Sequence, residues 1–184
     1  MSNTINAPFG FQPVYHSSGF VRPQAMTMTD NYVNNILQYQ PVKISAGVVV
    51  PAAAGDPFVG TFMGVEFTDS DGRRRVSNKW VGGNIGTDIT AYITLDPLIV
   101  YQIQSNAAVT VDDIGEQFNF GSITAGSLTT GLSQAVLDVS SSAANAQMRL
   151  IGITPGPDNA FGDTYVVCQV EISEHQNVAD RAAY

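Results

Sequence analysis

Hydrophobic and polar positions alternate with a period of two through most of this chain. Turn residues interrupt the alternation roughly every 8–12 positions, which is the mark of short, half-buried strands. The pattern is cleanest where Ile89, Ala91, Ile93 and Leu95 face one way and Thr90, Tyr92 and Thr94 the other. Asp96-Pro97 then turns the chain, and Ile99, Tyr101 and Ile103 return it. Runs starting at Pro41-Val42-Lys43-Ile44 and spanning 58–67, 134–139, 148–153 and 164–172 bring the total to about eight or nine strands. Gly60 and Gly64 interrupt the longest run, where a sheet can bend or bulge. Asp69-Ser70-Asp71-Gly72 reads as a hairpin turn, because Asp-Gly accepts the positive φ that tight turns need. Helix is scarce. Residues 111–115 suggest one helical turn, and only 29–37 has helical spacing, through Val33, Ile36 and Leu37, with its asparagines opposed to it. The fold class is all-β: a single β-barrel or sandwich-like domain.

Residues 1–28 interrupt this pattern and read as an extended N-terminal arm. Pro8, Pro13 and Pro23 remove backbone donors and bias their predecessors away from helix, while Gly10 and Gly19 loosen the segment. Phe9, Phe11, Val14, Tyr15 and Phe20 are nevertheless large apolar groups that a free tail would not carry. The arm therefore lies on something, either its own domain or a neighbouring subunit, and Phe9, Phe11, Tyr15 and Phe20 are candidate partner-binding residues. The β domain is expected over 29–175 and a polar tail over 176–184.

Composition narrows the function. Charged residues make up only 13% of the chain, against about 25% on average, and Ser, Thr, Asn, Gln and Gly take their place. Such a surface suits broad hydrogen-bonded contacts. The formal charge of −8 argues against nucleic acid, since phosphate attracts clustered Lys and Arg and the chain has one such cluster, Arg73-Arg74-Arg75. That cluster is either a solvated hairpin tip or a basic spot for a partner's carboxylates. No apolar run approaches the roughly 20 residues that span a bilayer, and no basic and apolar leader opens the sequence. A soluble protein made in the cytoplasm, with no membrane partner, is expected.

No arrangement of residues points to catalysis, a cofactor or a metal. A Ser or Cys nucleophile needs a histidine in reach, and the two histidines, His16 and His175, sit in no nucleophile motif. Cys168 shares its strand face with Val166, Val170 and Ile172 and reads as a core hydrophobe. Asp69 opens a run resembling a calcium loop, but the glutamate position holds Trp80 and arginines fill the middle. Asp112 and Asp113 are adjacent and diverge, so they make no glycosidase pair, and Asp112 more simply caps the local turn. Gly82-Gly83-Asn84-Ile85-Gly86 lacks the Lys-Ser/Thr of a phosphate loop. Trp80 reads as a half-buried residue at a strand end, or else as a platform for a sugar.

Three stretches resemble a family of small structural proteins of tailed bacteriophages. They are Asn6-Ala7-Pro8-Phe9-Gly10-Phe11-Gln12-Pro13-Val14; Gly60 to Arg74 with Ser77 to Trp80; and Leu150-Ile151-Gly152-Ile153 with Val170 to His175. The run from Gly64 to Arg74 is the most specific. The sequence departs from the pattern at Gln40-Pro41-Val42, where Gly-Asp is expected before the proline. The resemblance implies a capsid decoration, or cement, protein on the virion surface. Its partners would be the major capsid protein and further copies of itself, as a dimer or trimer, and it would have no catalytic residues. The alternative is a receptor- or carbohydrate-binding head fibre or adhesin module, built around Trp80 and Asn78; a hydrolase whose carboxylate pair is hidden by the fold is a third reading.

Overall fold

A computed structural model describes residues 4–178. Among them are fourteen strands: β1 (Gln12–Tyr15), β2 (Gln24–Thr27), β3 (Pro41–Ser45), β4 (Val48–Pro51), β5 (Gly60–Asp69), β6 (Arg74–Ser77), β7 (Gly86–Ile93), β8 (Val100–Gln104), β9 (Gln117–Gly121), β10 (Gly126–Ser127), β11 (Leu132–Ser133), β12 (Val136–Asp138), β13 (Met148–Ile153) and β14 (Val167–Ile172). The only helical pieces among the described residues are single 3-10 turns at Val111–Asp113 and Val139–Ser141. The fold is all-β, with more and shorter strands than the alternation alone implies.

Two six-stranded sheets carry the fold. The first runs β1-β8-β14-β13-β9-β12; the second runs β2-β7-β5-β3-β4, with β6 pairing the far half of β5. Every ladder between these strands is antiparallel. The arrangement is sandwich-like, and neither sheet closes into a barrel. Both curl, however: Ser105, just after β8, bridges Leu137 in β12, and in the second sheet β2 comes close to β4.

The buried apolar side chains divide into two clusters, one for each sheet. The first is built on Tyr101, Ile103, Phe118, Leu137, Leu150 and Val170, and the second on Phe62, Val65, Trp80, Ala91 and Ile93. Burying each large side chain contributes about 1.5–3 kcal/mol, so these rows decide which strand face turns inward. The alternation of β7 holds as far as Ile93 and then fails, because Thr94 is buried too. Its hydroxyl lies 2.9 Å from the Tyr101 hydroxyl and accepts the Thr61 N–H at 2.8 Å, so a polar residue is satisfied inside. Burial pushes the Tyr101 hydroxyl well above the usual phenol range.

The proline-rich N-terminal segment belongs to this body. β1 pairs β8 and β2 pairs β7, so residues 12–15 and 24–27 are edge strands of the two sheets. Proline is tolerated at such an edge because the open side needs no N–H. Phe11 is fully buried among Tyr101, Phe58 and Phe120. No helix forms over 29–37: Ile36 is bridged to Trp80 while Val33 stands exposed, so their helical spacing does not reflect one buried face. Residues 179–184, which hold most of the expected polar tail, lie outside the described residues.

Glutamine carboxamides complete the backbone bonding where strands do not reach. Gln104 donates to the Ile5 carbonyl at 3.0 Å and accepts from Ala7 N–H at 2.9 Å, holding the chain ahead of β1. Gln147 donates to the carbonyls of Ala53 (2.9 Å) and Asp56 (2.7 Å) and accepts from Phe120 N–H at 3.1 Å. Gln176 caps Ile44 in β3 from both sides, accepting its N–H at 2.7 Å and donating to its carbonyl at 3.0 Å. Gln104 and Gln147 are buried, which explains how a chain so poor in charge can bury so much polarity: each amide supplies a donor and an acceptor without an ion to desolvate.

Candidate interaction surface

The aromatic residues of the N-terminal segment separate into two groups. Phe11 belongs to the core and Phe9 is partly buried, so neither is presented to a partner as a whole ring. Tyr15 is 58% exposed and Phe20 is 80% exposed. They flank a tight turn in which Gly19 N–H donates to the His16 carbonyl at 2.8 Å. His16 fixes that turn. Its Nδ1 lies 2.7 Å from Ser18 Oγ and accepts the Ser18 N–H at 3.2 Å, and its Nε2 stands 3.2 Å from Asp96 Oδ2. Asp96 in turn accepts the Leu98 N–H at 2.9 Å. The loop carrying Phe20 thus lies beside the β7–β8 turn carrying Leu98, which is 52% exposed, although His16 Nε2 makes no hydrogen bond there. An open cleft between the two is lined by His16, Ser18, Phe20, Val21, Arg22 and Asp96.

Ser18, His16 and Asp96 stand in a line that superficially suggests a hydrolase. The roles differ. Nδ1 takes the backbone N–H of the same serine whose hydroxyl it would have to activate, two residues along one turn, which is the geometry of a turn clamp.

The arginine hairpin is internally paired. Arg74 Nε meets Glu66 Oε1 at 2.7 Å, and its Nη1 donates to the Asp88 carbonyl at 2.9 Å. Asp88 sits at a bulge in β7 with φ +50. Arg75 pairs Asp69 and reaches Asp71 at 3.1 Å, while Arg73 lies 3.7 Å from Asp71. Arg74 and then the Tyr92 hydroxyl hold the Glu66 carboxyl below the usual range. The Ser70 N–H, with help from Arg75, does the same for Asp69. The carboxylates that receive these arginines are therefore in the hairpin itself and the strand beside it.

Other candidates are structural. Trp80 is fully buried, not half-buried: its ring packs edge-on against Phe67 at 5.1 Å and its Nε1 donates to the Tyr32 carbonyl at 2.7 Å, so it offers no sugar platform. Asn78 donates to the Thr130 carbonyl at 3.2 Å. Asp113, not Asp112, caps the 111–113 turn, its carboxylate accepting Thr110 N–H at 2.7 Å and the Thr110 hydroxyl at 2.9 Å. His175 is buried and its Nδ1 accepts the Asn177 N–H at 3.1 Å. Cys168 is buried, with its thiol pushed up to about 12 by burial and then by the charge of Asp113. Among the described residues no three His, Cys, Asp or Glu side chains converge as metal ligands, and no helix is long and apolar enough to cross a membrane.

Two features of this surface escape a reading of the sequence. His16 and Asp96 meet across some eighty residues of chain, which no local pattern reveals. Arg22 is the other: among the described residues no carboxylate lies within 4.0 Å of it, although Lys43, Arg73, Arg74 and Arg75 each have one. No family model matches the chain, and no curated protein and no solved structure is significantly similar to it.

Proposed function

We propose that this chain is a virion structural protein that binds the head shell of a tailed phage and stabilises it, a capsid decoration or cement protein. The observation that carries the reading is the exposed Tyr15–Phe20 loop, a pair of large aromatic groups held outward by a β body. Water-exposed aromatic rings on a rigid support are the usual anchors of protein interfaces. The low charge of the surface supports the same reading, because immobilising Lys and Glu side chains costs rotamer entropy on association. So does the phage-like run from Gly64 to Arg74, whose arginines stiffen a hairpin against β7. Assembly as a dimer or trimer would add avidity on a symmetric shell.

Co-sedimentation tests the function directly. Shells freed of this chain, incubated with the purified protein, should bind it to a fixed stoichiometry and resist heating better afterwards. Shells that neither bind it nor gain thermal resistance would refute the reading.

A further inference from the structure

The cleft rim carrying Phe20 and Arg22 has a definite chemistry, and we propose that it docks onto a different polypeptide through an apolar socket rimmed by carboxylates. The socket takes the Phe20 ring and the rim takes Arg22. This inference rests on the head-shell reading and specifies the partner surface that reading requires.

Three observations converge. Phe20 is 80% exposed, with Tyr15 and Leu98 on the segments beside it, so the most exposed ring in a described loop is ready for burial. The loop is pre-organised by its own turn, in which His16 Nδ1 accepts the Ser18 N–H and the His16 carbonyl accepts the Gly19 N–H. Little conformational freedom is then left to lose on docking, which raises affinity. Arg22 supplies the charge. Among the described residues no carboxylate lies within 4.0 Å of it, though Asp96 lines the same cleft, while the hairpin arginines and Lys43 are matched within the chain. A planar guanidinium left open two residues from an exposed aromatic ring calls for a bidentate carboxylate in the partner.

The same observations weigh against other occupants. A second copy docked face to face would bring two bodies of net charge −8 together, whereas a different partner need carry only the few carboxylates that meet Arg22. That net charge also opposes an anionic bilayer or nucleic acid.

Binding of wild type, Phe20→Ser, Arg22→Glu and Arg22→Lys to shells freed of this chain, at low and high salt, tests the inference, with light scattering of each free protein alongside. Phe20→Ser should weaken binding about thirtyfold or more, as loss of a central anchor does. Arg22→Glu should weaken it about tenfold at low salt and less at high salt, and Arg22→Lys should retain most of it. All four should melt alike, because the altered side chains are exposed. If wild type binds and Phe20→Ser and Arg22→Glu match it, the inference falls and the head-shell reading stands. Tighter binding by Arg22→Glu would mean a basic rim and overturn the stated chemistry. A wild-type oligomer that dissociates on Phe20→Ser would make the occupant a second copy. Wild type that binds no shell sinks the head-shell reading and this inference together.

Discussion

Phe11 stacks face to face on Tyr101, with ring centroids 3.9 Å apart and 12° between the planes. The contact joins the segment ahead of β1 to the middle of the first cluster, where Phe58 and Phe120 close edge-on around the same ring. Phe11→Ala should therefore destabilise the protein by about 3–5 kcal/mol, the usual cost of emptying a buried phenylalanine site. Removing residues 2–20 should do more, taking β1 and the Gln104 contacts with it. Thermal melts decide this: a truncated chain melting with wild type would show that the segment is dispensable to the fold.

Cys168 should resist thiol reagents in the native protein at pH 8. With its thiol raised to about 12, almost no thiolate forms, and the strand buries the sulfur. Labelling should appear only on unfolding, with a rate that follows denaturant. Stoichiometric labelling within minutes under native conditions would contradict the placement.

Acid should weaken the protein through its paired carboxylates. Glu66 is held low by Arg74 and Tyr92, and Asp56 by Lys43 and the Ala53 N–H. A carboxylate whose folded pKa lies below its unfolded value near 4 contributes stability above that value and loses it as pH falls through the folded one. Melting temperature should hold steady from neutrality to about pH 5 and then decline. Glu66→Gln with Asp56→Asn should shallow the decline; an unchanged slope would show that these pairs do not carry it.

Gly60→Ala should fold poorly. A Cβ there would overlap the Thr94 carbonyl, in the place where β5 leaves β3 and Thr94 bonds Thr61 and Tyr101. The cost should exceed the roughly 1 kcal/mol of an average substitution. Gly72→Ala makes the comparison, since open space surrounds that turn and only its φ of +77 opposes a side chain. If both variants lose equal stability, close approach at Gly60 is not the cause.

Calcium should leave the melting temperature unchanged, because Arg74 and Arg75 already occupy the Glu66 and Asp69 carboxylates. A rise abolished by Asp69→Ala would mean that the hairpin holds a cation.

The strands legible in the sequence are those whose alternation coincides with burial: β5, β7, β8, β13 and β14 each turn an apolar row inward. β1 and β2 hide behind prolines and glycines, and their outer faces are exposed. β9 alternates glutamine and asparagine with phenylalanine, and Gln117 is itself buried because its carboxamide accepts the Ala146 N–H. Of the interaction surface, the aromatic content of the N-terminal segment is legible. The division of its rings into inward Phe11 and outward Phe20 is not, since it depends on long-range pairing of β1 with β8.

The buried carboxamides also bias how this sequence can drift. Glutamine and glutamate are one base change apart, and on an ordinary surface the exchange is nearly silent. At Gln104 and Gln147 it would replace a donor with a second oxygen, turned toward the carbonyls of Ile5, or of Ala53 and Asp56. Repulsion would take the place of a bond, in a site with almost no water to screen it. A lineage of such chains can therefore gain acidity readily on its outer face, while these interior positions are closed to the commonest route toward it.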